Sequence, residues 1–342
     1  MSKEPKHIII SRTDAIGDVV LTLPLAYYLK QKFPEAKITW LVRTYTQTVI
    51  EACGCVDGFI NIDQFDLVNN NAFVDELKKQ KADTIIHVFP NSKISKAAKL
   101  ARIATRIGTS HRLHHWFTCN QLVNLGRKNS PLHEAQLNIA LAKYFQIEVP
   151  TLKELQQLPA LLTSTTLSKY NNITEFSFNF LKTEKKKIIL HPKSRGSGKE
   201  WPIENYISLI QMLDANQFQI LICGTKDEGS RMENELRSLP NHVTNLVGQF
   251  SLTEYLSLIA QCDGLLASGT GPLHLAASIG VNALGLFPPT RPIHPGRWAP
   301  IGRKADYLVS DQPCATCDQN IQPCACMLAI TLEQVAQKIR QW

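Results

Sequence analysis

Short apolar runs alternate with segments of helical period, twice over, and that alternation restricts the fold class more than any single motif. In the first series, residues 7–11, 38–42, 59–62 and 84–88 read as buried strands, with helices expected over 18–30, 46–52 and 93–103. A parallel strand covered on both faces is apolar throughout, so it reads as a continuous run. The loops between are a few residues long, which implies a parallel sheet with helices on its faces. The pattern weakens between residues 158 and 187, where turn-like Thr and Asn clusters precede Glu184-Lys185-Lys186-Lys187. A second series follows, with strands over 188–190, 219–223, 264–267 and 283–287 and helices over 203–213, 228–238, 251–261, 273–279 and 331–342. The expectation is an α/β protein with a first domain over 1–165, a linker over 166–186, a second domain over 187–325 and a tail helix within 326–342. At 342 residues the chain is long enough for two separate cores. Ligands of such sheets bind at the C-terminal ends of the strands, so two sheets in series suit an enzyme that holds one substrate on each.

Composition narrows the partners. A hydrophobic content of 44% with 19% charged residues is that of a globular protein, and the net charge of +8 favours an anionic ligand, lipid surface or nucleic acid. No helix-turn-helix, RNP-type motif or basic stretch interleaved with aromatics is present, so nucleic acid is not expected as a partner. No apolar run reaches the ~18–20 residues of a membrane span. The first residues enter a strand without an apolar leader, so the expected location is cytoplasmic, with a peripheral position on the inner membrane left open. Nine cysteines in that compartment are expected as thiols. Cys314-x2-Cys317-x6-Cys324-x-Cys326 has enough ligands for zinc, but its short arm and loop match the common ribbons poorly.

Four stretches can carry chemistry. Ser268-Gly269-Thr270-Gly271-Pro272 follows a strand and opens a helix on which His274 lies one turn in. Two glycines let the backbone turn sharply, Ser268 or Thr270 can cap the helix, and a helix start attracts anions. Read alone, it is equally an ordinary capped corner. Residues 191–202 follow another strand and hold Lys193, Ser194, Arg195, Ser197, Lys199 and two glycines, a composition that can neutralise a diphosphate. The order of a Walker loop is absent. Glu228 follows a third strand and is suited to ribose hydroxyls, or is simply a helix-start glutamate. In the first series, Asp14 and Asp18 sit on the first strand-to-helix loop, where Asp18 is either a reactive carboxylate or a helix-start residue. Lys93, Lys96, Lys99 and Arg102, followed by Arg106, His111 and Arg112, form a basic face for a phosphorylated acceptor or for lipid, or are merely solvated.

Taken together, four motifs in order give the chain a family likeness. They are Arg12-Thr13-Asp14-Ala15-Ile16-Gly17-Asp18-Val19-Val20-Leu21-Thr22-Leu23-Pro24, then Lys199-Glu200-Trp201-Pro202, then Gly269-Thr270-Gly271-Pro272-Leu273-His274-Leu275-Ala276-Ala277, and a tail ending Cys326-Met327-Leu328-Ala329-Ile330-Thr331. In these the chain resembles glycosyltransferase family 9, the ADP-heptose:lipopolysaccharide heptosyltransferases, over nearly its whole length. The resemblance implies a GT-B fold of two facing Rossmann-like domains with a central cleft, the last helix crossing back to the first domain. It implies inverting, metal-independent transfer of a sugar, heptose from ADP-heptose in the reference members, to a lipopolysaccharide core or related lipid-linked glycan, with no cofactor. It assigns Asp18 as catalytic base. Lys199, Gly269, Thr270, Gly271, His274 and Glu228 fall on the donor side, joined by Lys193, Ser194 and Arg195 of the basic loop. Lys96 falls on the acceptor side, with Asp14, Lys93 and Arg112. Gly269 stands where many relatives have aspartate, which leaves room for a different nucleotide sugar, or for a GT-B sugar-nucleotide epimerase.

Overall fold

The computed structural model describes residues 4–69, 71–163, 178–194, 196, 198–311, 317 and 324–342. Two compact units result. The first holds the chain to Leu155 and the residues from Leu161; the second takes Gln156–Ala160 and the C-terminal half. The chain thus passes into the second unit and returns before leaving for good. Arg303 Nε donates to Gln157 O (3.0 Å) in the second unit, while Leu162 bridges to Cys53 in the first. Most of the expected linker lies outside the described residues, and its last part already belongs to the strand Lys186–His191 and the turn before it.

Each unit is built on a six-stranded, all-parallel sheet, as the apolar runs require. The first sheet has the order β3-β2-β1-β4-β5-β6, with β1 His7–Ser11, β2 Lys37–Val42, β3 Gly58–Asn61, β4 Thr84–His87, β5 Thr105–Thr109 and β6 Gln121–Val123. The second has the order β12-β11-β10-β7-β8-β9, with β7 Lys186–His191, β8 Phe218–Ile222, β9 Val243–Asn245, β10 Gly264–Ser268, β11 Asn282–Phe287 and β12 Ala305–Val309. In both sheets the chain moves outward on one side of its first strand and then resumes on the other. That reversal leaves a crevice at the C-terminal ends of β1 and β4, and another at those of β7 and β10.

Two expected helices are broken. Residues 18–30 form Ile16–Val20 and Leu23–Lys32, separated where Pro24, without an N–H, starts the second piece. Residues 228–238 form Lys226–Ser230 and Glu233–Arg237. The tail helix, Leu332–Arg340, expected to cross back, belongs to the second unit. Val335, Ala336 and Ile339 are buried with Trp201, Tyr206 and Leu209, and the helix packs on Ile203–Met212. Its single apolar stripe is covered there. Among the described residues no helix is long and apolar enough to cross a membrane.

Truncating Ile339 to alanine should cost about 2–5 kcal/mol, the usual range for a fully buried aliphatic side chain. Urea denaturation should show the loss in the transition of the second unit, and a change within experimental error would contradict this packing.

Candidate functional site

At the C-terminal end of β1, Arg12 is buried at 4% exposure, and a cation so enclosed needs compensation. Its Nε donates to Asp14 Oδ1 (2.7 Å), and Nη1 to Glu134 Oε1 (3.1 Å) and Asn138 Oδ1 (3.4 Å). Nη2 is paired with Asp18 Oδ1. Arg127 Nη1 also pairs with Glu134, and its Nη2 donates to Asn138 Oδ1 (3.0 Å). Three carboxylates therefore share two guanidinium groups. Burial first, then the Asp14 and Glu134 carboxylates, push Asp18 up to about 6 against the pull of Arg12. Asp14 is raised as well, mainly by burial.

Asp18 lies in the first turn of Ile16–Val20, but no side chain caps that helix, so its carboxylate is not consumed as a cap. The loop is fixed from outside. Trp40 Nε1 donates to Arg12 O (3.2 Å), Thr22 Oγ1 to Asp18 O (2.7 Å), and Asn138 Nδ2 to Leu21 O (3.0 Å). Beside it, Ser11 pairs in register with His87 at the end of β4, and both are buried. Neither Ser11 Oγ nor either His87 ring nitrogen has a hydrogen-bond partner among the described residues. Burial pushes His87 down to about 3, so it is neutral there.

Of the expected basic face, Lys93, Lys96, Lys99, Arg102, His111 and Arg112 are exposed. Arg106 is not available: its Nε donates to Thr118 O (2.7 Å) and its Nη1 to Ile103 O.

In the second unit the loop after β7 and the turn after β10 do converge. A Cβ on Gly198 would stand 3.2 Å from Gly269 O, and Trp201 N donates to Ser268 Oγ (3.4 Å). Lys199 is 6% exposed, and its Nζ has no hydrogen-bond partner among the described residues. Thr270 occupies the N-cap of Gly271–Ile279 without capping it, contrary to expectation, and its buried Oγ1 is also without a partner. His274 is buried one turn into this helix. The charge of Lys193 is met inside the loop, by Glu200 at 3.3 Å. Ser194 holds the same carboxylate through its N–H (2.8 Å). Arg195, Ser197 and Cys314 lie outside the described residues.

Glu228 closes a capping box with Thr225, whose N–H donates to Glu228 Oε2 (2.7 Å). Its Oε2 also lies 3.4 Å from His191 Nε2. Burial alone would raise this carboxyl, but His191 and the Thr225 amide outweigh it and hold it at about 2. Glu228 thus caps its helix and still lines, with Ser194, Gly196, Asp227 and Arg231, a cavity of about 390 Å³. Gly269 lies tight against Phe287: a Cβ there would run into the ring, which would have to shift.

Glu134, Asn138, Arg127 and Arg231 escaped the sequence reading, and Glu200 entered it only as part of a motif without a role. Glu134 and Asn138 lie more than a hundred residues from Arg12, and no local pattern links them.

Residues 71–327 match the family model described as glycosyltransferase family 9 (heptosyltransferase). A Haemophilus influenzae protein described only in general terms as a glycosyltransferase is 28% identical over 86% of this chain and 86% of its own length. The lipopolysaccharide core heptosyltransferase OpsX of the same organism is 21% identical over 94% of this chain and 87% of its own. Among solved structures, the E. coli ADP-heptose lps heptosyltransferase II aligns over 98% of both chains with a TM-score of 0.76 at 20% identity.

If Asp18 is held up by its neighbouring carboxylates, Glu134→Gln should lower its pKa by removing one negative charge while keeping an oxygen for Arg12. The acid limb of a pH–rate profile, near pH 6 in the parent, should then move to lower pH with its plateau little changed. An unmoved limb would show that Asp18 does not set it.

Proposed function

The chain belongs to glycosyltransferase family 9, and from that premise we propose that it transfers heptose from ADP-heptose to a lipopolysaccharide core or a related lipid-linked glycan, with inversion and without a catalytic metal. The observation that carries the donor half is Lys199: a buried ammonium with no partner among the described residues, beside an uncapped helix start whose Thr270 hydroxyl also has none there. An enclosed cation of this kind is costly unless an anion joins it. A diphosphate supplies that anion and accepts from the helix amides. Glu228 on the cavity wall is available to ribose hydroxyls. An adenine base is supported by the ADP-heptose named for the E. coli relative.

In this reading Asp18 takes the proton of the acceptor hydroxyl as that oxygen attacks the anomeric carbon. A base with pKa about 6 is mostly ionised at neutral pH yet basic enough to accept a proton, which typically contributes ~10²–10⁴ in rate. Arg12 orients it, and Asp14 borders the acceptor. Lys199 and the amides at Thr270 and Gly271 stabilise the departing diphosphate. The reaction needs no electron transfer, and no cofactor is invoked.

Gly269 favours a second reading. An aspartate at this position, as in many relatives, would have to displace the Phe287 ring; if that carboxylate helps hold the donor there, the transferred sugar or its base can differ here. A thermal-shift screen against ADP-, GDP-, UDP- and dTDP-sugars tests both. The ADP-sugar should give the largest shift, Lys199→Ala should abolish it, and Asp18→Asn should retain binding while losing transfer by 10² or more. Preference for another base would replace the donor, and undiminished binding by Lys199→Ala would displace the phosphate.

The acceptor side also fits a lipid surface. The helix Leu113–Thr118 packs on Ser92–Leu100 and leaves Leu113, Trp116 and Phe117 exposed at 75%, 61% and 68%. Exposed Lys93, Lys96 and Arg112 lie on or next to the same helices, and Lys99 Nζ donates to Phe117 O (2.8 Å). Large apolar side chains among lysines are the composition of an anionic-membrane contact. Replacing Leu113, Trp116 and Phe117 by serine should cut sedimentation with phosphatidylglycerol vesicles several-fold and leave nucleotide-sugar binding intact. Equal sedimentation would remove the membrane contact.

A further inference from the structure

Cys317, Cys324 and Cys326 are buried in the apolar core of the second unit, together with Trp201, Met327 and Ile330. Their sulfurs form a triangle with edges of 3.3 Å (Cys317–Cys324), 3.2 Å (Cys317–Cys326) and 3.1 Å (Cys324–Cys326). Those separations far exceed the ~2.0 Å of a disulfide. They approach the ~3.8 Å between thiolates around a tetrahedral ion with bonds of ~2.3 Å. An ion at that bond length would stand just off the plane of the triangle, touching all three sulfurs and keeping a fourth position for another ligand. The sequence spacing argued against a common zinc ribbon. The fold supplies what spacing could not: Cys324 and Cys326 flank the start of Ala325–Leu328, and Cys317 is brought against both.

We propose that Cys317, Cys324 and Cys326 bind one thiophilic divalent cation, zinc or ferrous iron, as a structural site. Each thiol releases its proton to solvent and donates a sulfur lone pair to the metal, with no change of oxidation state. Such a site ties the segment after Cys324 into the core at the point where it meets the donor loop. Trp201, two residues after Lys199, is fully buried, and its Nε1 donates to Ile330 O (3.1 Å). Metal bound at the three sulfurs therefore fixes the far side of the loop that carries Lys199. The consequence for nucleotide affinity rests on the donor reading above; the metal content does not.

The test is elemental analysis of the full chain, produced in medium supplemented with zinc and iron and purified without chelator. One equivalent of zinc or iron per chain is expected. Cys324→Ser and Cys326→Ser should lose it, whereas Cys262→Ser, buried elsewhere in the same unit, should keep it. Should the serine variants fold poorly, an organomercurial titration of the parent protein gives the same answer, because metal release should track modification of these thiols. Absence of bound metal in the parent protein, metal retained in both serine variants, or a disulfide among the three by mass spectrometry would each overturn the site. ADP affinity before and after metal removal is then measured separately. A chain that carries the metal but binds no ADP would refute the donor reading and leave the metal site standing.

Discussion

In each unit the chain climbs one side of its first strand and then resumes on the other, and that reversal decides where its chemistry can lie. Parallel strands need crossover helices, and right-handed crossovers on opposite sides draw the loops apart at the C-terminal edge. Backbone and side chains there are not consumed by packing. Arg12 and Asp14 stand after β1, Lys193, Ser194 and Lys199 after β7, and residues 269–271 after β10, each at such a reversal. Arg106 on β5 turns back onto the carbonyls of Ile103 and Thr118 and serves the fold alone.

What could be read from residue order was whatever depends on neighbours in the chain. The central strands β1, β2, β4, β7, β8, β10 and β11 are continuous apolar runs, and each fell within a residue or two of its expected place. The edge strands β6, β9 and β12 did not announce themselves. Gln121–Val123 and Val243–Asn245 are three residues each, and Ala305–Val309 is partly exposed, so none reads as a buried run. β5 was hidden for a related reason, since Thr105–Thr109 carries Arg106 and Gly108 in place of an aliphatic series. The glycine turn and the lysine before Glu200-Trp201 were legible because they are local. The partners of Arg12 were not, because Glu134 and Asn138 reach it only through tertiary packing of Glu134–Ala140. Nor could the sequence say which lysine was spent. Lys193 and Lys199 look alike on paper, and only the fold sets Glu200 against the first and leaves the second without an acceptor.

That distinction ties stability to function. A buried ammonium and a buried hydroxyl, neither with a partner among the described residues, lower the stability of the free protein. They are tolerable because the rest of the second unit is a large, closely packed core, and because a bound anion would reverse the loss. The same reasoning accounts for Gly269. Its missing side chain lets the turn lie against both Phe287 and Gly198, so the turn is shaped by close approach.

The two crevices carry opposite imbalances. In the first unit, Asp14, Asp18 and Glu134 outnumber Arg12 and Arg127, and the surplus negative charge appears as a raised affinity for a proton at Asp18. In the second, Lys199 Nζ meets no acceptor among the described residues, and on the function proposed above that unmatched positive charge would serve an anion. A glycosyl transfer needs both: one group that takes a proton from an alcohol, and another that accepts the charge left on a phosphate. On the proposed function neither imbalance could be relieved inside its own unit, because a further cation near Asp18 would make it a weaker base and a carboxylate near Lys199 would compete with a phosphate.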